Sequence, residues 1–189
     1  LLNVRVLVGH ALGLAPSDVM KHSARVLTPQ EKDVLASLIE RRSRRETLNR
    51  IIGKSEFCGL WFLTNEATLE PRPESEVIVR SIVKQIQKFP WLFPRRKRLR
   101  VLDLGTGSGC ILLSFLHAFP KATGLGIDLA PRAIEQAREN AERLELASRC
   151  EFRVNDWATN IEEKFDIVSF NPPYIPTADM PRLMPAVRD

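Results

Sequence analysis

Apolar and polar positions divide the chain into three stretches with different periods. Over residues 1 to about 52 the period is helical. Leu1, Val4, Leu7, Val8 and Leu12 form one stripe that stops near Gly13, and Val34, Leu35, Leu38 and Ile39 form another against a charged face. Thr28-Pro29-Gln30-Glu31 predicts the start of that second helix, with Thr28 and Glu31 as a capping-box pair and Pro29 at the first helical position. After Gly53, Glu56-Phe57-Cys58-Gly59-Leu60-Trp61-Phe62 is rich in aromatic and β-type residues and predicts a strand or hairpin connector. Pro71-Arg72-Pro73 breaks regular structure. Glu74 to Lys88 then reads as a helix with Val77, Ile78, Ile82, Val83 and Ile86 inward, its first-turn acids suiting the helix dipole.

From Leu99 the pattern alternates. Arg100–Leu104, Gly124–Asp128, Cys150–Val154 and Phe165–Phe170 are short strand-like runs, and Ile111–Phe119 and Pro131–Leu144 are helical. Such alternation implies an α/β fold with a parallel sheet and right-handed crossovers. The predicted organisation is a small helical domain over 1–53, a hairpin connector over 54–73 and a Rossmann-like domain over 74–189.

Composition adds few constraints. The apolar share of 44% and charged share of 27% fit a folded globular chain rather than a disordered one. No apolar run approaches the roughly 20 residues needed to cross a bilayer, and the start Leu1-Leu2-Asn3-Val4-Arg5 has no signal-peptide pattern. The chain begins without an initiator Met. Cys58, Cys110 and Cys150 stand far apart, which predicts reduced thiols, a cytoplasmic location and no structural zinc. The formal charge of +5 sits largely in Arg41-Arg42-Ser43-Arg44-Arg45 and Arg95-Arg96-Lys97-Arg98. A solvated helix end and a solvated linker are the simpler accounts; a phosphate-facing patch is the alternative.

Candidate chemistry begins at Asp103-Leu104-Gly105-Thr106-Gly107-Ser108-Gly109, where the first strand of the alternating region gives way to a helix. Alternate glycines allow a tight turn and close approach of a ligand to the main chain. Asp128 ends the next strand ~20 residues on, where a carboxylate can accept hydrogen bonds from ribose hydroxyls. Leu129 follows it. Asp156 and Trp157 follow the third strand, where an acid can hold an adenine amino group and an aromatic can cover the base. Cys110 stands where a dinucleotide fingerprint wants Gly or Ala, which favours a mononucleoside ligand such as S-adenosylmethionine over NAD.

Asn171-Pro172-Pro173-Tyr174 follows the fourth strand, at the carboxyl edge where open α/β sheets bind ligands. An amide or aromatic amine nitrogen is a poor nucleophile because its lone pair is delocalised. Two fixed acceptors, the Asn171 side-chain oxygen and the Pro172 carbonyl, would grip its N–H bonds and aim it at a sulfonium methyl. Pro173 would stiffen the loop and Tyr174 would pack on the flat group. Positioning and preorganised electrostatics would supply the catalysis, with no metal.

Together these two motifs resemble the amino-methyltransferases, which include N6-adenine DNA enzymes and protein glutamine methyltransferases. The run Glu56–Phe62 and Pro71-Arg72-Pro73-Glu74-Ser75-Glu76 resemble the connector of the HemK/PrmC family, the peptide-chain release factor glutamine methyltransferases. The helical start, from Arg41-Arg42 through Ile51-Ile52-Gly53, is similar to that family's N-terminal domain. Pro73-Glu74 favours the release-factor branch over the ribosomal-protein branch, which carries Pro-Arg-Ser-Pro there. Glu70 and Thr47 depart from the family pattern, which has an apolar residue and a proline at these places.

The resemblance implies a class I S-adenosylmethionine-dependent enzyme acting on the glutamine of a Gly-Gly-Gln motif, with the helical domain docking the release factor. It implies that Asp103, Gly105, Thr106, Gly107, Gly109, Asp128, Leu129, Asp156, Trp157 and Asn171 hold the cofactor. Arg72, Pro73, Asn171, Pro172, Pro173 and Tyr174 would face the substrate, with Asn171, Pro172 and Tyr174 catalytic. A monomer without direct nucleic-acid contact is expected. A complete fold of this class has seven strands and only four are readable before Asp189, so a C-terminally truncated domain with an unprotected fourth strand is expected. The competing expectations are an N6-adenine methyltransferase on DNA or RNA and a catalytically silent cofactor-binding fragment.

Overall fold

A computed structural model describes residues 2–91 and 98–171. The chain divides into two compact units at Gly53–Lys54.

The first unit is helical. It comprises α1 (Leu2–Leu12), α2 (Pro29–Ser43) and α3 (Leu48–Ile52), with a short 3-10 turn at Val19–His22. The capping box predicted for α2 is present: the Thr28 hydroxyl accepts from the Glu31 N–H at 3.2 Å, and the Glu31 carboxylate accepts from the Thr28 N–H at 2.8 Å. Thr47, where the family has proline, caps α3 by accepting from the Arg50 N–H at 3.3 Å.

The core of this unit is Leu7, Leu38 and Ile51, with Ala11 and Leu48 packed against it. It is narrower than the predicted stripes. Val4, Val34 and Ile39 are exposed, because three short helices bury only the positions on their mutual seam. Arg41 reaches the open end of α3. It pairs with Glu46 through two nitrogens and donates to the Arg50 and Ile51 carbonyls at 3.2 and 3.3 Å. Arg42 donates to the Glu46 carbonyl and Arg44 pairs with Glu40. The run of arginines is thus largely engaged within its own unit.

The second unit begins with a hairpin, β1 (Lys54–Phe57) and β2 (Leu60–Leu63), paired antiparallel. Cys58 and Gly59 form its two-residue turn with φ of 53° and 83°, the positive pair that matches strand twist. Ser55, Phe57 and Phe62 face inward and are buried, while Glu56 and Trp61 face out. Phe57 and Phe62 belong to one core with Leu112, Phe115 and Leu116, so the hairpin is built into this unit.

Helix α4 spans Pro73–Lys88, in line with the sequence. Its inward face differs from expectation. Val79 and Ile86 are buried, Ile82 and Val83 flank them, and Val77 and Ile78 are 65% and 60% exposed. Three consecutive apolar residues fit two adjacent helical stripes, and packing selects the one through Val79.

Four parallel strands follow, β3 (Arg100–Leu104), β4 (Thr123–Asp128), β5 (Cys150–Val154) and β6 (Ile167–Phe170), in the order β5-β4-β3-β6. Helices α5 (Cys110–Ala118) and α6 (Pro131–Arg143) make the crossovers between β3, β4 and β5, as predicted. Side chains of α4, α5 and α6 share a core with Val101, Phe152 and Ile167 on one sheet face. The other face carries Leu102, Leu125 and Ile127, packed with Leu104, Ile161 and Phe165. Val168 and Phe170 of the outer strand β6 are more than half exposed among the described residues. Gly126 lets the layers close: a Cβ there would lie 2.6 Å from the Phe152 ring and 2.9 Å from the Thr106 hydroxyl.

Candidate active site

The carboxyl ends of the strands carry the glycine loop after β3, Asp128 at the end of β4, Asp156 and Trp157 after β5, and Asn171 after β6. Beyond β3 the chain turns through Gly105 and Gly107, whose φ of 71° and 53° lie in the left-handed region that disfavours side chains. A Cβ at Gly107 would meet no atom within 4 Å, so the main chain there is open to a ligand. Gly109 caps α5, which leaves the positive end of that helix beneath the loop.

Strand β4 holds the loop in place. The Thr106 N–H donates to the Ile127 carbonyl at 2.8 Å, and the Gly107 N–H donates to Asp128 Oδ2 at 2.9 Å. Asp128 Oδ1 accepts from the Ala130 N–H at 3.0 Å. Each carboxylate oxygen has two lone pairs, so Asp128 keeps acceptor capacity for ribose hydroxyls. Leu129 beside it is 71% exposed.

A loop from β5 returns across this edge. Trp157 sits in a left-handed conformation (φ 51°), and the Asn155 amide donates to the carbonyls of Trp157 and Thr159. The Trp157 ring meets Phe170 edge-on, with centroids 5.0 Å apart. That contact carries the loop from the end of β5 to the end of β6, and further along Ile161 and Phe165 pack on the sheet face with Leu102, Leu125 and Ile127. Asp156 is exposed on this loop. Asn171 follows Phe170 directly, and its backbone carbonyl lies 3.7 Å from where a Cβ on Gly105 would stand. The glycine loop and the start of the Asn-Pro-Pro-Tyr segment are therefore neighbours. Pro172, Pro173 and Tyr174 lie outside the described residues.

Arg72 and Pro73 open α4, Arg72 as its extended N-cap and Pro73 in its first turn. The chain before them is pinned to α6. The Asn65 side chain donates to the Arg132 carbonyl at 3.0 Å, and Glu66 pairs with Arg132 at 3.6 Å. This segment therefore passes the amino end of α6, immediately after Asp128 and Leu129.

Asp103 differs from the other candidates in its surroundings. It is 1% exposed, and its two oxygens accept short hydrogen bonds from the Ser169 hydroxyl (2.6 Å) and the Thr106 hydroxyl (2.7 Å). Burial pushes its carboxyl from the ordinary 3.8 up to about 6; the hydroxyls of Ser169 and Thr106 oppose the rise, and the charge of Asp128 adds to it. The folded protein therefore holds a proton more tightly than the unfolded chain between these values, and this group's contribution to stability falls as pH rises through them. Relative to wild type, Asp103→Asn should gain stability between about pH 4 and 6, by up to about 3 kcal/mol. Urea titrations of both proteins across that range check it, and parallel pH curves would contradict it.

Two residues at this edge escaped the sequence reading. Ser169 pairs in register with Asp103 and reaches its carboxylate. Asn140 of α6, fully buried, accepts from the Leu63 N–H at 2.8 Å and donates to the carbonyls of Leu63 and Ser108, both at 2.9 Å. It joins hairpin, helix and glycine loop. Two hollows of about 220 and 270 Å³ lie elsewhere, one between the hairpin, α4 and α5, the other at the amino ends of β3 to β5.

Comparison with known proteins shows what the sequence is similar to. A family model described as "PrmC N-terminal domain" matches residues 1–53, and one described as "Methyltransferase domain" matches residues 95–186. The release factor glutamine methyltransferase of Rhodospirillum rubrum is 43% identical over 185 residues, which cover 98% of this chain and 54% of that protein. Its counterpart from Bradyrhizobium diazoefficiens is 41% identical over 191 residues, covering 100% of this chain and 62% of that protein. The chain thus spans between half and two thirds of the length of these relatives. A solved S-adenosylmethionine-dependent methyltransferase from Thiobacillus denitrificans, in complex with S-adenosyl-L-homocysteine, is 30% identical with a TM-score of 0.40, covering 51% of this chain and 35% of its own. By its two matched regions and its end-to-end alignment with these relatives, the chain belongs to the HemK/PrmC family, the family of the release factor glutamine methyltransferases.

Proposed function

We propose that this chain carries the cofactor-holding and amide-aiming parts of an S-adenosylmethionine-dependent enzyme that methylates the glutamine side-chain nitrogen of a Gly-Gly-Gln motif in peptide-chain release factors. The observation that carries the reading is the nearness of the Asn171 carbonyl to Gly105, 3.7 Å from where a Cβ would stand, because it supports an approach of the residues at the end of β6 to a loop that is open at Gly107.

The residues fit the cofactor. The backbone at Gly107 is open enough to meet a nucleoside closely, and Asp128 has acceptor capacity for ribose hydroxyls. Leu129 and Trp157 offer exposed apolar surface to a base, with Asp156 to receive its amino group. When bound, S-adenosylmethionine supplies a methyl group on cationic sulfur. Asn171 and Pro172 would accept the two amide N–H bonds of the glutamine and turn its nitrogen toward that methyl. Held in this way, the nitrogen would take the methyl carbon and give up one proton to solvent, leaving a neutral sulfide. Pro173, Tyr174, Arg72 and Pro73 would hold the flat amide and its flanking residues.

In this reading the helical unit docks the release factor, and the enzyme works as a cytoplasmic monomer without direct nucleic-acid contact. The engagement of Arg41, Arg42 and Arg44 within the helical unit supports the reading that this basic run serves its own fold rather than a nucleic acid, and the three free thiols fit a reducing compartment.

The test mixes the full-length protein with labelled S-adenosylmethionine and a release factor, followed by mass spectrometry of the factor. Label on the glutamine of Gly-Gly-Gln is the expected result. Label found only on nucleic acid would favour the N6-adenine alternative and reject this one, and absence of transfer would favour a silent cofactor-binding role.

A further inference from the structure

Asp103 stands at a core position of a central strand, on the same face as the buried Val101. An apolar residue there would avoid the cost of taking a carboxylate out of water, which hydrogen bonds only partly offset. What the acid adds is a link. Oδ2 receives the hydroxyl of Thr106 in the glycine loop, three residues along, and Oδ1 receives the hydroxyl of Ser169 on the neighbouring strand β6. Ser169 lies two residues before Asn171. The Ser169 hydroxyl also lies 3.3 Å from the Leu102 carbonyl, so β6 is tied to β3 at this point by more than its ladder.

The loop has a separate anchor to β4, through the Thr106 and Gly107 N–H groups. Those bonds hold the loop in the shape a cofactor meets, and they do not involve Asp103. We infer that Asp103 is a positioning residue: through the hydroxyls of Thr106 and Ser169 it sets the cofactor-facing loop against the strand that leads into Asn171, and so aligns methyl donor with acceptor nitrogen. This rests on the proposed methyltransferase activity and gives the buried acid a task other than direct contact with the cofactor. Breaking the link at Ser169 leaves both the loop's anchor to β4 and the Asn171 side chain intact, and alters only the placement of one half of the site relative to the other.

The test compares Ser169→Ala with Ser169→Thr in the full-length protein. It reads steady-state methylation of a release factor, calorimetric affinity for S-adenosylhomocysteine, and urea stability to ensure that each variant is folded under assay. Misplacement of reacting groups by about 1 Å can cost on the order of a hundredfold in rate, so Ser169→Ala should lose at least about tenfold in kcat. Its cofactor Kd should stay within about threefold of wild type, because the separate backbone hydrogen bonds still shape the loop. Ser169→Thr keeps the hydroxyl and should recover most of kcat. An unchanged kcat in Ser169→Ala, a parallel loss of cofactor affinity, or a threonine variant no better than alanine would overturn the inference while the activity itself stands. If wild type transfers no methyl to glutamine, the proposed function fails and the inference with it.

Discussion

Asn140→Ala is expected to lower the unfolding free energy by about 3 kcal/mol, because it leaves three backbone groups without their partner and each such loss costs ~1–3 kcal/mol when buried. The amide of Asn140 is fully buried and satisfies the Leu63 N–H, the Leu63 carbonyl and the Ser108 carbonyl at 2.8 to 2.9 Å. Alanine supplies neither donor nor acceptor and opens a small void between α6, the hairpin and the loop. For a protein of this size the loss corresponds to a fall in Tm of roughly 6–12 °C. Urea unfolding followed by circular dichroism measures it directly. A change below about 1 kcal/mol would mean that the hairpin end and the loop find other partners, and that Asn140 is not their clamp.

Asn171→Ala is expected to remove about a hundredfold to a thousandfold of kcat, the range seen when a preorganised hydrogen-bonding group aimed at the reacting centre is deleted. The amide nitrogen of glutamine is unreactive until its N–H bonds are held, and Asn171 would supply one of the two acceptors. Cofactor affinity should barely move, since the loop at Gly105 meets the backbone of Asn171 and not its side chain in the described contact. Asp128→Ala should show the reverse: cofactor binding weakened by about 1.5–3 kcal/mol for hydrogen bonds to a charged group, with a smaller effect on kcat at saturation. Single-turnover methylation with saturating cofactor, set beside calorimetric titration of S-adenosylhomocysteine, separates the two quantities. Equal losses of both quantities in both variants would refute this division of roles.

Local signals in the sequence translated well into structure. The Thr28–Glu31 capping box, Pro131 at the first turn of α6 and the alternation of strand and helix each depend on neighbours within a few residues, and each is found as expected. The glycine loop was legible for the same reason: its shape follows from three glycines in five positions. What local pattern could not decide was which of several apolar residues faces inward. Val77, Ile78 and Val79 are consecutive, so the helical period fits two stripes equally well, and contact with α5 selects Val79.

The residues that went unnoticed are polar groups with distant partners. Ser169 reads as a minor interruption of an apolar strand, and its partner Asp103 is 66 residues away. Asn140 looks like any polar residue of an amphipathic helix, yet it meets Leu63, 77 residues earlier. Neither carries a local signature, because the need for such a group arises only after the chain has closed on itself and left backbone donors and acceptors in the dark. Asp103 was noticed as part of the loop motif. Its burial, and with it the bonds to Thr106 and Ser169, is a property of the packed sheet and not of the motif.

The incorporation of the hairpin into the second unit has a practical consequence for dissecting the protein. Excision at Pro73, just where the α4 helix begins, would strip Phe57 and Phe62 from the interior and orphan the amide of Asn140. The natural seam for separating the pieces is Gly53, whose left-handed backbone (φ 69°) already ends one helical segment before the first strand starts.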